Sequence, residues 1–143
     1  MIRALRVEDW DRWKPLWDGY LRFYRAQLEE RVTQTAFQRL CERSHGMQGL
    51  LALDGGGSAV GLAHLVLHPA TWTDRSFCYL EDLYVDPRAR GGSVGAELIA
   101  AVYEAADDAG AARVYWHTQE YNGAARSLYD KVGRRTSFVV YHR

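Results

Sequence analysis

The stretch "DPRARGGSVGAELI" (86–99) sets two arginines and three glycines directly before an apolar run with helical spacing. A glycine-rich turn that opens a helix leaves several backbone N–H groups unpaired and pointing at one spot, where the helix dipole adds positive potential. Such a place binds an anion. Immediately upstream, "FCYLEDLYV" (77–85) puts Glu81 and Asp82 side by side within aromatic and branched residues. Carboxylates in a strand of that composition need a reason, and binding a cation or accepting a proton is the chemistry they offer. Adjacent strand residues point to opposite faces, so one of the pair is expected to face a cleft.

Two familiar phosphate loops do not fit. A P-loop requires Lys and Ser/Thr after its last glycine, and "GGSVGAE" has Ala96 and Glu97 there. The dinucleotide fingerprint Gly-x-Gly-x-x-Gly is not supplied by "GGSVGA".

Composition narrows the partners. The 143 residues suit one domain, 1–143, with a real core; 48% are hydrophobic and 25% charged. Lys+Arg and Asp+Glu are both 18, for a net charge of zero. That balance argues against nucleic acid or an anionic membrane as a partner, since both select a basic surface. Only Lys14 and Lys131 are lysines, so 18 − 2 leaves 16 arginines, read here as compositional bias. Cys41 and Cys78 are too few and too far apart for a disulfide framework or a zinc site, and no metal is expected. No apolar run nears the ~18 residues of a membrane helix, and "MIRALRVEDW" lacks a signal-peptide core, which points to a cytoplasmic protein.

The elements that must hold these residues follow from periodicity. "IRALR" (2–6) alternates as a strand, with Asp9 or Asp11 as candidate cap for the helix that follows. Trp10, Trp13, Trp17, Tyr20 and Tyr24 recur at three- and four-residue steps and line one helix face, with Pro15 either near its first turn or at a kink. Thr33 or Thr35 opens a second helix. "GLLALD" (49–54) and "AVGLAHLVLH" (59–68) flank a glycine turn as a hairpin. After the strand 77–85 and the glycine turn come a helix over 94–110, a strand over 112–118, a helix over 122–133 capped by Asn122, and a closing strand, "TSFVVYHR" (136–143). The order is β-α-α-β-β-β-α-β-α-β. His64 and His68 share a strand face without nearby acids in sequence, and all five histidines read as structural or exposed. His117 is the one nearest the expected cleft.

On these residues the chain resembles the GNAT superfamily of acyl-CoA-dependent N-acetyltransferases. "RGGSVG" matches the family's motif Arg/Gln-x-x-Gly-x-Gly/Ala from Arg90 to Gly95, with Ser93 where glycine is usual. "YLEDLYVDP" resembles the strand before that motif, and "NGAARSLYDKVG" the Asn-to-Tyr helix beyond it. The "W..LW.GY..FY" opening, "VYWHTQEYN" and "VVYHR" are most similar to the histone/polyamine acetyltransferase branch. The resemblance spans nearly the whole chain. It implies an α/β fold with a mixed, centrally antiparallel sheet of about six or seven strands and about four helices. It also implies acetyl-CoA as cosubstrate, its diphosphate held by Arg90, Gly91, Gly92, Ser93, Val94, Gly95 and Ala96. Backbone groups of Leu83, Tyr84 and Val85 would pair with the pantetheine arm, and Asn122 and Ala125 would line it. Ser93 is expected to have an ordinary φ, with its hydroxyl near a phosphate.

Acetyl transfer to an amine needs a neutral amine, a polarised carbonyl and a proton for the leaving thiolate. Neutralising an alkyl amine at pH 7 requires about 4.6 kcal/mol, so a neighbouring acid must take its proton. The resemblance favours Glu81 for that role, with Asp82 beside it on the substrate. It places Tyr129, seven residues after Asn122, as the acid that protonates the sulfur. It also puts Tyr20 and Tyr24 near the acceptor. Pairing with pantetheine requires the strands 77–85 and 112–118 to splay, as a bulge near Leu83 would allow. The acceptor class is a primary amine, on a small molecule or a peptide. The rival reading is a non-catalytic acyl-CoA-binding module on the same fold. The closing apolar strand suggests a homodimer through strand exchange or edge pairing.

Overall fold

In the computed structural model, which describes residues 1–143, one sheet carries its strands in chain order, β1-β2-β3-β4-β5. They are β1 (Ile2–Ala4), β2 (Met47–Leu53), β3 (Ala59–Pro69), β4 (Ser76–Val85) and β5 (Arg113–Tyr115). The first four form an antiparallel meander. Its β2–β3 turn is closed by Asp54, whose carboxylate accepts the N–H groups of Gly56 and Ser58 at 2.9 Å each. The chain then crosses over through α3 (Val94–Asp108) and adds β5 parallel to β4.

Alternation along the strands builds two cores. Helices α1 (Trp10–Phe23) and α2 (Glu30–Glu42) cover one face, where Trp13, Trp17, Phe37, Leu40, Leu51 and Leu62 are buried together. On the other face α3 packs Leu98, Ile99 and Val102 on Ala52, Ala63 and Leu65, and α4 (Gly123–Val132) joins the margin through Leu128 and Tyr129. Leu62, Ala63 and Leu65 thus send neighbouring positions of one strand into different cores. No helix is long and apolar enough to cross a membrane.

Several expectations are corrected. The sheet has five strands, not six or seven, because residues 136–143 form no strand and Phe138, Val139, Val140 and Tyr141 are all exposed. Alternating residues supply a strand pattern, but nothing within the chain offers that segment a ladder. β5 covers three residues rather than 112–118, since pairing with β4 stops at Tyr79 and Tyr115. α2 begins at Glu30, ahead of Thr33, which is buried and accepts the Trp17 indole N–H at 3.3 Å. Asp9 stands at the N-cap position of α1 but its side chain makes no capping bond, and Asp11 lies within the first turn. Asp9 is buried and takes two bonds of 2.7 Å from the Arg3 guanidinium and one of 2.9 Å from the Arg6 N–H. Pro15 lies inside α1 on its exposed side, and the helix runs through it, held by the buried indoles opposite.

Candidate active site

The strand bearing the two acids is not regular. His64 of β3 faces Asp82, but Leu65 faces Leu80, so Glu81 is an extra residue on β4. The consequence is a change of parity. Cys78 and Leu80 pack in the α3 core, and so do Leu83 and Val85, while Tyr84 packs against α1 and α2. A bulge re-aims side chains in this way. It lies at Glu81, two residues before the expected Leu83, and it removes the premise that Glu81 and Asp82 must point to opposite faces. Asp82 opposes His64 across the ladder and accepts its Nδ1–H at 2.9 Å.

Beyond Tyr79 and Tyr115, β4 and β5 part. The β4 backbone from Leu80 onward, including Leu83, Tyr84 and Val85, has no ladder partner on that side. Into the opening come side chains from four elements, so that Tyr20, Tyr24, Glu81, Leu83, Trp116 and Tyr129 line one narrow cleft with His117 at its exposed rim. A roomier depression of about 470 Å³ lies under the 70–75 turn at the far end of β3 and β4; it contains neither Glu81 nor Tyr129. The smaller cleft holds both Glu81 and Tyr129.

Its electrostatics separate the titratable groups. The Glu81 carboxyl is raised above the ordinary glutamate value, by burial first and then by the neighbouring Asp82 charge. Tyr129 is pushed up to about 12, by burial and then by Tyr24. It stays protonated at neutral pH, and its hydroxyl bonds to no other residue. Its ring meets Trp116 edge-on, with centroids 5.5 Å apart. Tyr20 and Tyr24 are raised as well, through burial and then the Asp82 charge. They continue the aromatic stripe: Trp13 and Trp17 stack at 5.6 Å, Trp17 and Tyr20 at 5.4 Å, and Tyr20 meets Tyr24 at 5.0 Å. The stripe is core at its start and cleft wall at its end.

At the open end of β4 the glycine turn leads into α3. Gly91 has φ +83°, a backbone that side chains disfavour. Gly95 has a different reason to be glycine, because a Cβ there would come within 3.0 Å of Leu128 on α4. Ser93 sits at the N-cap with φ −97°, as expected, but its hydroxyl bonds to the Glu97 carboxylate. None of the backbone amides from Gly91 to Ala96 donates within the chain; the first helical bond is Glu97 N–H to Ser93 O at 2.9 Å. Six free donors at a helix start fit a diphosphate. Arg88 is turned back on Asp86, whose carboxyl it holds down at about 2. Arg90 bonds to the Val85 carbonyl at 2.9 Å and lies over the Tyr84 ring. Asn122 caps α4, accepting the Ala125 N–H at 3.4 Å.

The expected site residues therefore fall at three adjoining places: the turn and α3 start, the open β4 edge, and the cleft. Trp116 was missed, and His64, expected to be structural and without a nearby acid, is buried but meets Asp82. The sequence offers one trace of His64, its apolar strand, but the acid it faces is 18 positions away and in register only through the bulge. No group of three or more His, Cys, Asp or Glu residues is placed to hold a metal ion.

Free amides and an open strand edge suit a ligand with a diphosphate at one end and amide groups along its length, and Glu81 and Tyr129 share a cleft beside that edge. Family comparison agrees: the model described as Acetyltransferase (GNAT) family matches residues 10–133, and the chain belongs to that family. It is an acyl-CoA-dependent N-acetyltransferase. It is 38% identical over 144 residues to the D-amino-acid N-acetyltransferase HPA3 of Saccharomyces cerevisiae, covering 100% of this chain and 89% of that protein. It is 36% identical over 80 residues to the thialysine N-epsilon-acetyltransferase of Sus scrofa, covering 56% of this chain and 46% of the relative. The solved structure of AAC(6')-Iy with the bisubstrate analog CoA-S-monomethyl-acetylneamine shares the fold with a TM-score of 0.85 at 19% identity, covering 100% of this chain and 96% of the other.

Proposed function

We propose that the protein moves an acetyl group from acetyl-CoA directly to a primary amine within one ternary complex. Amides 91–96 hold the diphosphate, with Arg90 adding charge. The open edge at Leu83, Tyr84 and Val85 pairs with the pantetheine amides, and Asn122 and Ala125 flank the arm. Asp82, Tyr20 and Tyr24 receive the acceptor as its ammonium. Glu81 takes the proton, directly or through water, its raised carboxyl closer to the working pH than an ordinary glutamate. The neutral nitrogen attacks the thioester carbonyl, the C–S bond breaks as Tyr129 gives its proton to the sulfur, and the proton shed by the new amide nitrogen restores the Tyr129 hydroxyl through water. No step draws on a metal.

The reading rests above all on one observation: Glu81 and Tyr129, from different elements, line the same cleft beside an unpaired strand edge. Clustered acids and aromatic faces favour a cationic amine. Small amines are the acceptor class we favour, in keeping with the D-amino-acid acetyltransferase similarity. We further propose a single domain acting in the cytoplasm as a homodimer, joined through the exposed apolar segment at 136–143.

The test is free-thiol release from acetyl-CoA over a panel of amines, comparing wild type with Tyr129→Phe. We expect amine-dependent release that falls by ~100-fold or more in kcat in the variant, with CoA affinity unchanged. CoA binding without amine-dependent thiol would instead favour a non-catalytic acyl-CoA-binding module.

A further inference from the structure

We propose that Trp13 and His64 form a buried relay that fixes the Asp82 carboxylate as the anchor for the acceptor's ammonium group. His64 is thereby a positioning residue of the acceptor site. The inference deepens the acetyl-transfer reading and rests on it for the identity of the acceptor.

The argument starts from proton inventory. The Trp13 indole Nε1–H, a group that only donates, meets His64 Nε2 at 2.9 Å. Nε2 must therefore accept, because a proton on it would set two N–H groups against each other. That leaves the ring's proton on Nδ1, which points at Asp82 Oδ2, also 2.9 Å away. The indole thus selects the tautomer, and the tautomer makes the histidine a donor to a carboxylate. A bond from a neutral donor to a charged acceptor is among the stronger ones in proteins.

Neither relay residue has freedom to do otherwise. Trp13 is fully buried and stacked on Trp17, and His64 is 4% exposed, enclosed by both indoles at 5.9 and 5.3 Å. The bulge at Glu81 brings Asp82 into register with His64. One Asp82 oxygen is committed to the relay, and the carboxylate, 16% exposed, lies close enough to Tyr20 and Tyr24 that its charge adds to burial in raising both hydroxyls. Glu81 has no such tether, which suits a group that must gain and lose a proton. His68, four residues on, provides contrast: its ring nitrogens bond only to the Pro69 carbonyl and the Tyr115 hydroxyl, and neither meets an acid.

The experiment combines kinetics and spectroscopy on the full chain, with propylamine as the amine probe. Two-bond ¹H–¹⁵N spectra at neutral pH should show His64 as the Nδ1–H tautomer. His64→Leu should raise the propylamine KM about tenfold or more, with kcat changed less than about threefold and the acetyl-CoA KM unmoved. His64→Asn, whose amide nitrogen can occupy the Nδ1 position, should recover most of the loss, and His68→Asn should change nothing. Should the leucine variant not fold, the asparagine variant and the wild-type tautomer still decide. An Nε2–H tautomer, or an unchanged propylamine KM in folded His64→Leu, would overturn the relay. If wild type acetylates no amine, propylamine binding followed by the Trp13 indole signal still reads it out. Binding weakened by His64→Leu then keeps the relay and removes the acetyl-transfer reading; unweakened binding removes the relay.

Discussion

Glu81 and Asp82 are neighbours in sequence but not in circumstance. Asp82 is tied to His64, while Glu81 bulges free at the rim of the cleft with its carboxyl raised by burial and by Asp82. One carboxylate tied by a donor and a neighbour left free can divide the work of a site between them. A raised carboxyl is protonated, and useless as a base, until pH climbs past its own shifted value. The rate should therefore fall on the acid side at a pH above the ordinary glutamate range, and Glu81→Gln should remove that limb along with most of kcat. Tyr129, at about 12, should impose no alkaline limb below pH ~11. A pH profile of kcat/KM for wild type and variant checks both statements. At this scale the resemblance to the family's motifs directed attention to Glu81, Tyr129 and Gly91, and the first two do line one cleft. The bulge at Glu81 was not legible: it is one unpaired residue in a ladder, set by how β3 and β4 align, and no local pattern announces it.

Among the elements, the anchoring of α1 to β1 is where a charged group matters most for stability. Asp9 is 1% exposed and bound by Arg3 through both oxygens. The Arg3 hydrogen bonds hold its carboxyl below the ordinary aspartate value. A lowered value in the folded state means the contribution is complete above about pH 3.9 and is lost as pH falls through the lowered value. Asp9→Asn leaves Arg3 without its counter-charge and should lower stability by about 3–5 kcal/mol, measured by urea unfolding at pH 7. The variant should also lack part of the wild-type loss of stability on acidification. Helices and the central meander were readable because 3.6- and two-residue periods persist over many positions. Thr33 was misread as a cap since a buried hydroxyl serving an indole looks the same in sequence as one starting a helix.

The whole molecule presents Phe138, Val139, Val140 and Tyr141 to solvent in one consecutive run, and its sheet ends on a three-residue edge strand. Four exposed apolar residues in sequence are unusual for a chain meant to stay alone. Removing residues 137–143 should halve the mass seen by light scattering while leaving the fold's circular dichroism intact. A monomeric wild type at high concentration would rule out the homodimer. The opposite side of that edge carries a broader implication. Where β4 runs on without β5, whatever lies alongside is gripped by backbone N–H and C=O groups, a pair that every residue except proline offers. The acceptor wall, built from Tyr20, Tyr24 and Glu81, is instead written in side chains. Mutation can rewrite the second script and barely touches the first, so a lineage sharing this architecture is free to change what it modifies while keeping its donor fixed.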